Sequence, residues 1–158
     1  MSDQPTAEDR ALWQRRLASQ ANNRAWTLAE QSSRTPEEDE DMLHAAHAAM
    51  FFWNLVGNAG QKAHAVQLLA HVCATLKRGD EAAAYLARSS PVLMAASAEA
   101  WERALAHAVA AHVAAARGDA VRHAEHYRQA TQQVAALPDA QDRAILEATL
   151  RVLPVPAA

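Results

Sequence analysis

Eight histidines stand in a chain of 158 residues, and imidazole is the side chain here with the most chemistry to offer. Two pairs, His44/His47 and His123/His126, have i, i+3 spacing, which places each pair on neighbouring parts of one helix face. On that reading His44, His47, Phe51 and Leu55 share one face of a helix, while Met42, Ala46, Ala49, Trp53 and Val56 share the other. A helix that is apolar all round is buried between neighbours, so the first pair is expected to be buried or to line a groove between helices. His112 falls on the face of Trp101, Leu105 and Ala108. Three imidazoles and a water make a catalytic zinc geometry, and His44 and His47 with one of His107, His112 or His126 would be the set to supply it. Against a metal, there is no His-Glu-x-x-His, no i, i+4 histidine pair and no Glu-x-x-His of the di-iron bundles. The expectation is therefore no metal and no cofactor. Buried histidines then hydrogen-bond between helices, with His123 and His126 solvated.

Other chemistries have less to stand on. The chain has four glycines and no glycine-rich loop to cradle a phosphate. Its one cysteine, Cys73, lies between Val72 and Ala74 and reads as a small packing residue. It also excludes an internal disulfide and fits a reducing, cytoplasmic setting. The tryptophans fall on helical stripes: Trp53 and Trp101 read as core, and Trp13 and Trp26 as docking the first helix. Arg15-Arg16 and Lys77-Arg78 are isolated pairs expected in solvent. A net charge of -3 without a basic cluster argues against nucleic acid as a partner. No apolar run approaches the roughly 18 residues of a membrane span, and no signal sequence is visible at the start.

The elements that must position these residues are helices. About half the chain is apolar, and alanine, the best helix former, supplies roughly a quarter of it. The glycines and prolines fall between apolar-periodic segments, and no segment alternates with period two for long enough to be a strand. Thr6 with Asp9 opens a helix over about 7–32, bent at Asn22-Asn23. Thr35, Pro36 and Glu38 form a capping box for a second that ends at Gly57. The acidic run Glu37 to Asp41 complements the dipole there. Further helices are expected over about 61–78, 81–88 (stopped by Ser89-Ser90-Pro91), 97–117, 120–137 and 139–152. The tail from Pro154 is expected to fray.

Gly79-Asp80 and Gly118-Asp119 lie 39 residues apart, each between an alanine-rich helix ending in arginine and a helix carrying a tyrosine. This suggests a helical repeat. Gly118, Tyr127 and Ala130, with Ala111 in the preceding helix, resemble the glycine, aromatic and small positions of a tetratricopeptide repeat. His107 stands where that motif prefers tryptophan, and His123 where it prefers alanine. Over about residues 42–150, the run from Leu43-His44-Ala45-Ala46-His47-Ala48 to Trp53, then Val56-Gly57, is similar to a group of small uncharacterised bacterial proteins. Val72, Ala74, Leu76 and the Ala106-His107 pair fit the same pattern. The resemblance implies a tetratricopeptide-like fold and brings no activity with it.

The expected fold is thus all-α: about seven helices as antiparallel hairpins in a short, right-handed, tetratricopeptide-like array. It is one domain, residues 1–158. Residues 1–34 form an N-terminal cap, 35–137 the repeat-like hairpins, 138–153 a C-terminal capping helix and 154–158 a tail. Either the end helices cap the repeats or a second copy does, which would make a homodimer. The expected function is non-enzymatic: binding a protein or peptide in a helical groove, through His44, His47, Phe51, His71 and His107. The alternatives are a metal- or small-ligand-binding enzyme using the histidines, and a structural role through self-association.

Overall fold

The computed structural model describes residues 4–157, which among them form seven helices and no strand. They are α1 (Ala7–Ala29), α2 (Pro36–Val56), α3 (Ala59–Thr75), α4 (Gly79–Leu93), α5 (Ala100–Ala116), α6 (Ala120–Ala135) and α7 (Ala140–Val152). None is long and apolar enough to cross a membrane. Local chemistry sets most of the boundaries. Thr6 and Thr35 cap α1 and α2 through complete capping boxes with Asp9 and Glu38, and Pro36 opens α2. Asn58 does the same for α3 with Gln61, so that helix starts ahead of Gln61. Asp119 and Asp139 cap α6 and α7. In the acidic start of α2, Asp39 and Asp41 also bind Arg34 and Arg24, each at 2.6 Å, tying α1 to α2.

Helix α4 corrects one sequence expectation. It runs through Ser89, Ser90 and Pro91 to Leu93 instead of stopping near Arg88. Pro91 lies in the final turn, where its missing N–H leaves the Ala87 carbonyl without its helical donor. Leu93 is fully buried against Ala63 and Ala106, and that burial favours completing the helix.

The helices pack most extensively in sequence order, α1 on α2, α3 on α4 and α5 on α6. Short connections between helices packed along their length make antiparallel neighbours. The odd-numbered helices also touch in series, α1 on α3, α3 on α5 and α5 on α7. The even helices lie against these, with α2 on α3, α4 on α5 and α6 on α7. The core follows that order. Ala25, Leu28, Met42, Leu68, Leu69 and Val72 are buried between the first three helices. Cys73, Val109, Val113, Val134, Leu137 and Leu146 are buried between α3 and the helices that follow it. Burial pushes the Cys73 thiol up to about 11, so it is an inert packing group.

The two central helix pairs are alike in length and ending, at a spacing that differs from that of the two Gly-Asp turns. Helix α3 spans Ala59–Thr75 and α5 spans Ala100–Ala116, an offset of 41 residues at both ends (59 to 100, 75 to 116). Both end in the same C-terminal motif. The Arg78 and Asp119 N–H groups donate to the Cys73 and Ala114 carbonyls, and the Lys77 and Gly118 N–H groups to Ala74 and Ala115. The residue with positive φ is Gly118 in one copy (71°) and Lys77 in the other (59°). Gly79 therefore does not match Gly118; it opens α4 and serves a close approach instead. A Cβ there would lie 2.8 Å from the Ala116 carbonyl oxygen at the end of α5.

That geometry separates three glycine substitutions. Gly79→Ala forces backbone apart and is expected to cost about 1–3 kcal/mol. Gly118→Ala meets nothing within 4 Å but keeps a positive φ, and should cost about 1–2 kcal/mol. Gly60→Ala, in the first turn of α3 with only the Asn58 Oδ1 near at 3.4 Å, should be neutral or stabilising by up to about 1 kcal/mol. Urea unfolding of the three variants checks the order; equal losses at Gly79 and Gly60 would contradict the close contact.

Candidate functional site

The histidines occupy three different environments. His44 and His47 are exposed on α2, as is Phe51 at 59%. The expectation that this face is buried or in a groove is therefore corrected. The opposite α2 face, with Met42, Ala45, Ala46 and Ala49, is the one that packs. Its neighbours His44, Phe51 and Leu55 have no helix to lie against, and His47 only meets the edge of Tyr85 at 6.5 Å. His71 is fully buried in α3, stacked on Trp26 at 5.1 Å, with its Nδ1 3.1 Å from Nδ1 of His112 in α5. His107 is half-buried and pairs in the same way with His126 of α6, at 3.0 Å. His123 is buried, with Nε2 2.9 Å from the Pro154 carbonyl. Neither His123 nor His126 is simply solvated, and the start of the tail is held: Leu153 is buried beside Ala108, Ala111 and Ala130.

The residues expected to share one groove thus lie apart. The proposed metal set does not converge either, because His44 and His47 face solvent on α2 while His107, His112 and His126 sit in two separate pairs. Among the described residues no three His, Cys, Asp or Glu side chains are grouped to hold a metal ion. The pairs do have a clear physical role. In each, one imidazole donates Nδ1–H and the other accepts, so two polar groups are satisfied across a helix interface with no charge buried. Burial, and then the neighbouring His112 and Arg34, hold His71 well below the usual histidine range. Burial, with His123 and Arg34, brings His112 down to about 4. Burial also lowers His107 and His126.

One polar group in the core is left over. Gln67, one turn before His71 on α3, is 1% exposed, and neither end of its amide has a protein partner; nor has Nε2 of His71.

A concave site with aromatic lining lies elsewhere. A cavity of about 530 Å³ opens between α1 and α7, above α3 and α5. Asn22, Asn23, Trp26, Thr27 and Glu30 line it from α1 and its C-cap, and Asp142, Ile145, Leu146 and Thr149 from α7. Its floor is His64 of α3 with Trp101 and Leu105 of α5. The spacing follows helix periodicity: Trp26 and Glu30, Trp101 and Leu105, and Asp142, Ile145 and Thr149 are each three or four residues apart. At one end Thr149 Oγ1 reaches Glu30 Oε1 at 3.4 Å. Burial raises the Glu30 carboxyl above its ordinary range, against the smaller pull of Thr149 and Arg151. The ring of His64 lies flat on Trp101, 5.2 Å between centroids and 9° between planes, and its Nε2 meets Glu102 Oε1 at 2.7 Å. Sequence reasoning assigned Trp26 and Trp101 to packing alone. Both do pack, but they also face the cavity, and the spacing of Trp26 from Glu30 gave no signal, since Trp13 lies equally one turn from Asp9. Trp13 is 59% exposed, with the guanidinium of Arg16 over its ring.

Two measurements test the buried polar groups. The folded His71 and His112 titrate below the roughly 6.5 of an unfolded chain, so as pH falls the unfolded state takes up protons first. Stability should be complete above about pH 6.5 and fall between there and about pH 4, by roughly 3 kcal/mol from His112 alone. The double variant His71→Leu/His112→Leu, which removes both partners, should lose the larger part of that slope in urea titrations. Gln67→Leu should gain about 1–3 kcal/mol at neutral pH, since it removes an unpaired buried amide at similar volume; a loss would show that the amide is satisfied.

No protein-family model matches the chain, and no curated protein or solved structure shows significant similarity to it.

Proposed function

We propose that the chain is a non-enzymatic binding module, a short tetratricopeptide-like array that receives a peptide segment in the groove between α1 and α7. The observation that carries this is the helix order: the first helix of each pair, followed by α7, forms one layer, and the concave cavity opens on that layer. Stacked helical hairpins use this surface for binding, because it is continuous across units and framed by rigid elements. The lining suits a peptide: indole and aliphatic surface from Trp26, Trp101, Leu105 and Ile145, beside the side-chain amides of Asn22 and Asn23 that can pair with a backbone. The histidine and phenylalanine residues singled out from sequence take structural or solvent-facing roles in this reading, and the groove is assigned to Trp26, Glu30, Trp101, Asp142 and Ile145.

A second reading has its own observation. Leu12, Trp13 and Leu17 of α1 and Phe51 and Leu55 of α2 are all exposed, at the end where the antiparallel pair brings the start of α1 beside the end of α2. An apolar face of this kind supports self-association, and with it a homodimer.

The full chain, immobilised and panned with phage-displayed random dodecapeptides, should enrich sequences that no longer bind Trp101→Ala or Ile145→Arg. Enriched peptides that bind both variants as well as the parent would place the site elsewhere. Sedimentation velocity over a wide concentration range tests the second reading. A dimer that Trp13→Glu converts to monomer supports it, and a monomer at all concentrations excludes it.

A further inference from the structure

The charge of the groove says more about what it takes. Its lining contains two carboxylates, Glu30 and Asp142, on opposite walls. It contains no lysine or arginine, in a chain that has 15 of them. The one other titratable lining group, His64, already faces a carboxylate, Glu102, at 2.7 Å. Arg151, the cation acting on Glu30, lines the neighbouring groove and not this one. Two indoles share the lining with the carboxylates, each stacked on an imidazole: Trp26 on His71 and Trp101 on His64. Both indoles line the cavity, and so does the imidazole stacked on Trp101. Carboxylates beside indole rings are the chemistry that holds a cationic side chain, by charge-assisted hydrogen bonds at the head and cation–π contact along the plane.

We infer that the peptide segment received by this groove presents an arginine or lysine flanked by apolar residues, the cation drawn into the cavity by the charge of Glu30 and Asp142 and resting on its indole surface. This rests on the reading of the groove as a peptide site. Glu30 is the stronger anchor. It is half-buried, and its protein partner is a neutral hydroxyl at 3.4 Å, so a charged donor adds what the carboxylate lacks. Leu105, Ile145 and Leu146 cover the aliphatic stem and its flanks. A guanidinium, planar and able to stack, fits this lining better than an ammonium.

The test uses the full chain and two probes, acetyl-Ala-Leu-Arg-Leu-Ala-amide and the same peptide with citrulline in place of arginine, which keeps the shape and removes the charge. Binding is read from the indole N–H resonances of Trp26 and Trp101, assigned with Trp→Phe variants, in titrations up to millimolar peptide. The arginine peptide should bind at least about tenfold more tightly than the citrulline peptide. That preference should shrink as salt rises. Glu30→Gln and Asp142→Asn should each remove most of it and leave citrulline binding as it was. Circular dichroism identifies a variant that has lost its fold; Asp142, half-exposed on α7, then carries the test if Glu30→Gln unfolds. Equal affinity for the two peptides overturns the cation inference and leaves the peptide groove standing. Failure of both peptides to move the two indoles overturns both.

Discussion

The structure depends on the seam between α3 and α5. From Ala63 to Ala74 and from Ala104 to Ala114 nearly every side chain is buried, with only His64 and His107 partly open. A helix buried on all sides needs neighbours on all sides. Accordingly α3 touches α1, α2, α4 and α5, and α5 touches α3, α4, α6 and α7. Alanine makes this possible by keeping the helices thin, and the extreme is Gly79, where even a methyl group would strike the end of α5. The same crowding removes water, so buried polar side chains on the two helices need partners from other elements, which Gln67 alone does without entirely. Histidine answers well. A neutral imidazole carries one donor and one acceptor, and His71 with His112 links the seam directly while His107 with His126 links α5 to α6.

What could be read from the sequence was what local chemistry decides. The capping boxes at Thr6 and Thr35 are complete within four residues, and the helices they open begin where expected. The same box at Asn58 was hidden by the glycines on either side of it, Gly57 and Gly60. The likeness in length and ending between α3 and α5 lies 41 residues apart, not the 39 that separate the two Gly-Asp turns. Glycine is the usual mark of a left-handed C-terminal residue, and Gly118 carries it, but in the other copy Lys77 takes that conformation at φ 59°. A glycine two residues further on, needed for a different contact, drew the alignment to itself. Helix α4 shows the opposite balance. The breaker Pro91 was visible, whereas the burial of Leu93 that outweighs it depends on Ala63 and Ala106, far away in the chain.

The groove was illegible for a stronger version of that reason. Its lining comes from four helices, and on each the relevant residues have the ordinary spacing of an amphipathic face. Trp13 and Trp26 make the point within a single helix. Both are tryptophans on α1, yet one lies exposed and the other is held against His71 and also faces a cavity. Nothing in their immediate neighbours distinguishes them. The difference is made by α3 and α7, which meet the second half of α1 and leave the first half bare.

The seam and the groove are finally one arrangement. His71, which bonds α3 to α5 through His112, is also the ring on which Trp26 lies. His64, which reaches from α3 to Glu102 at the start of α5, is the ring on which Trp101 lies. The histidines that hold the central helices together thus fix the two aromatic surfaces of the cavity. Because α1 and α7 are each held to the layer through α3 and α5, the width between the groove walls follows from the packing beneath it.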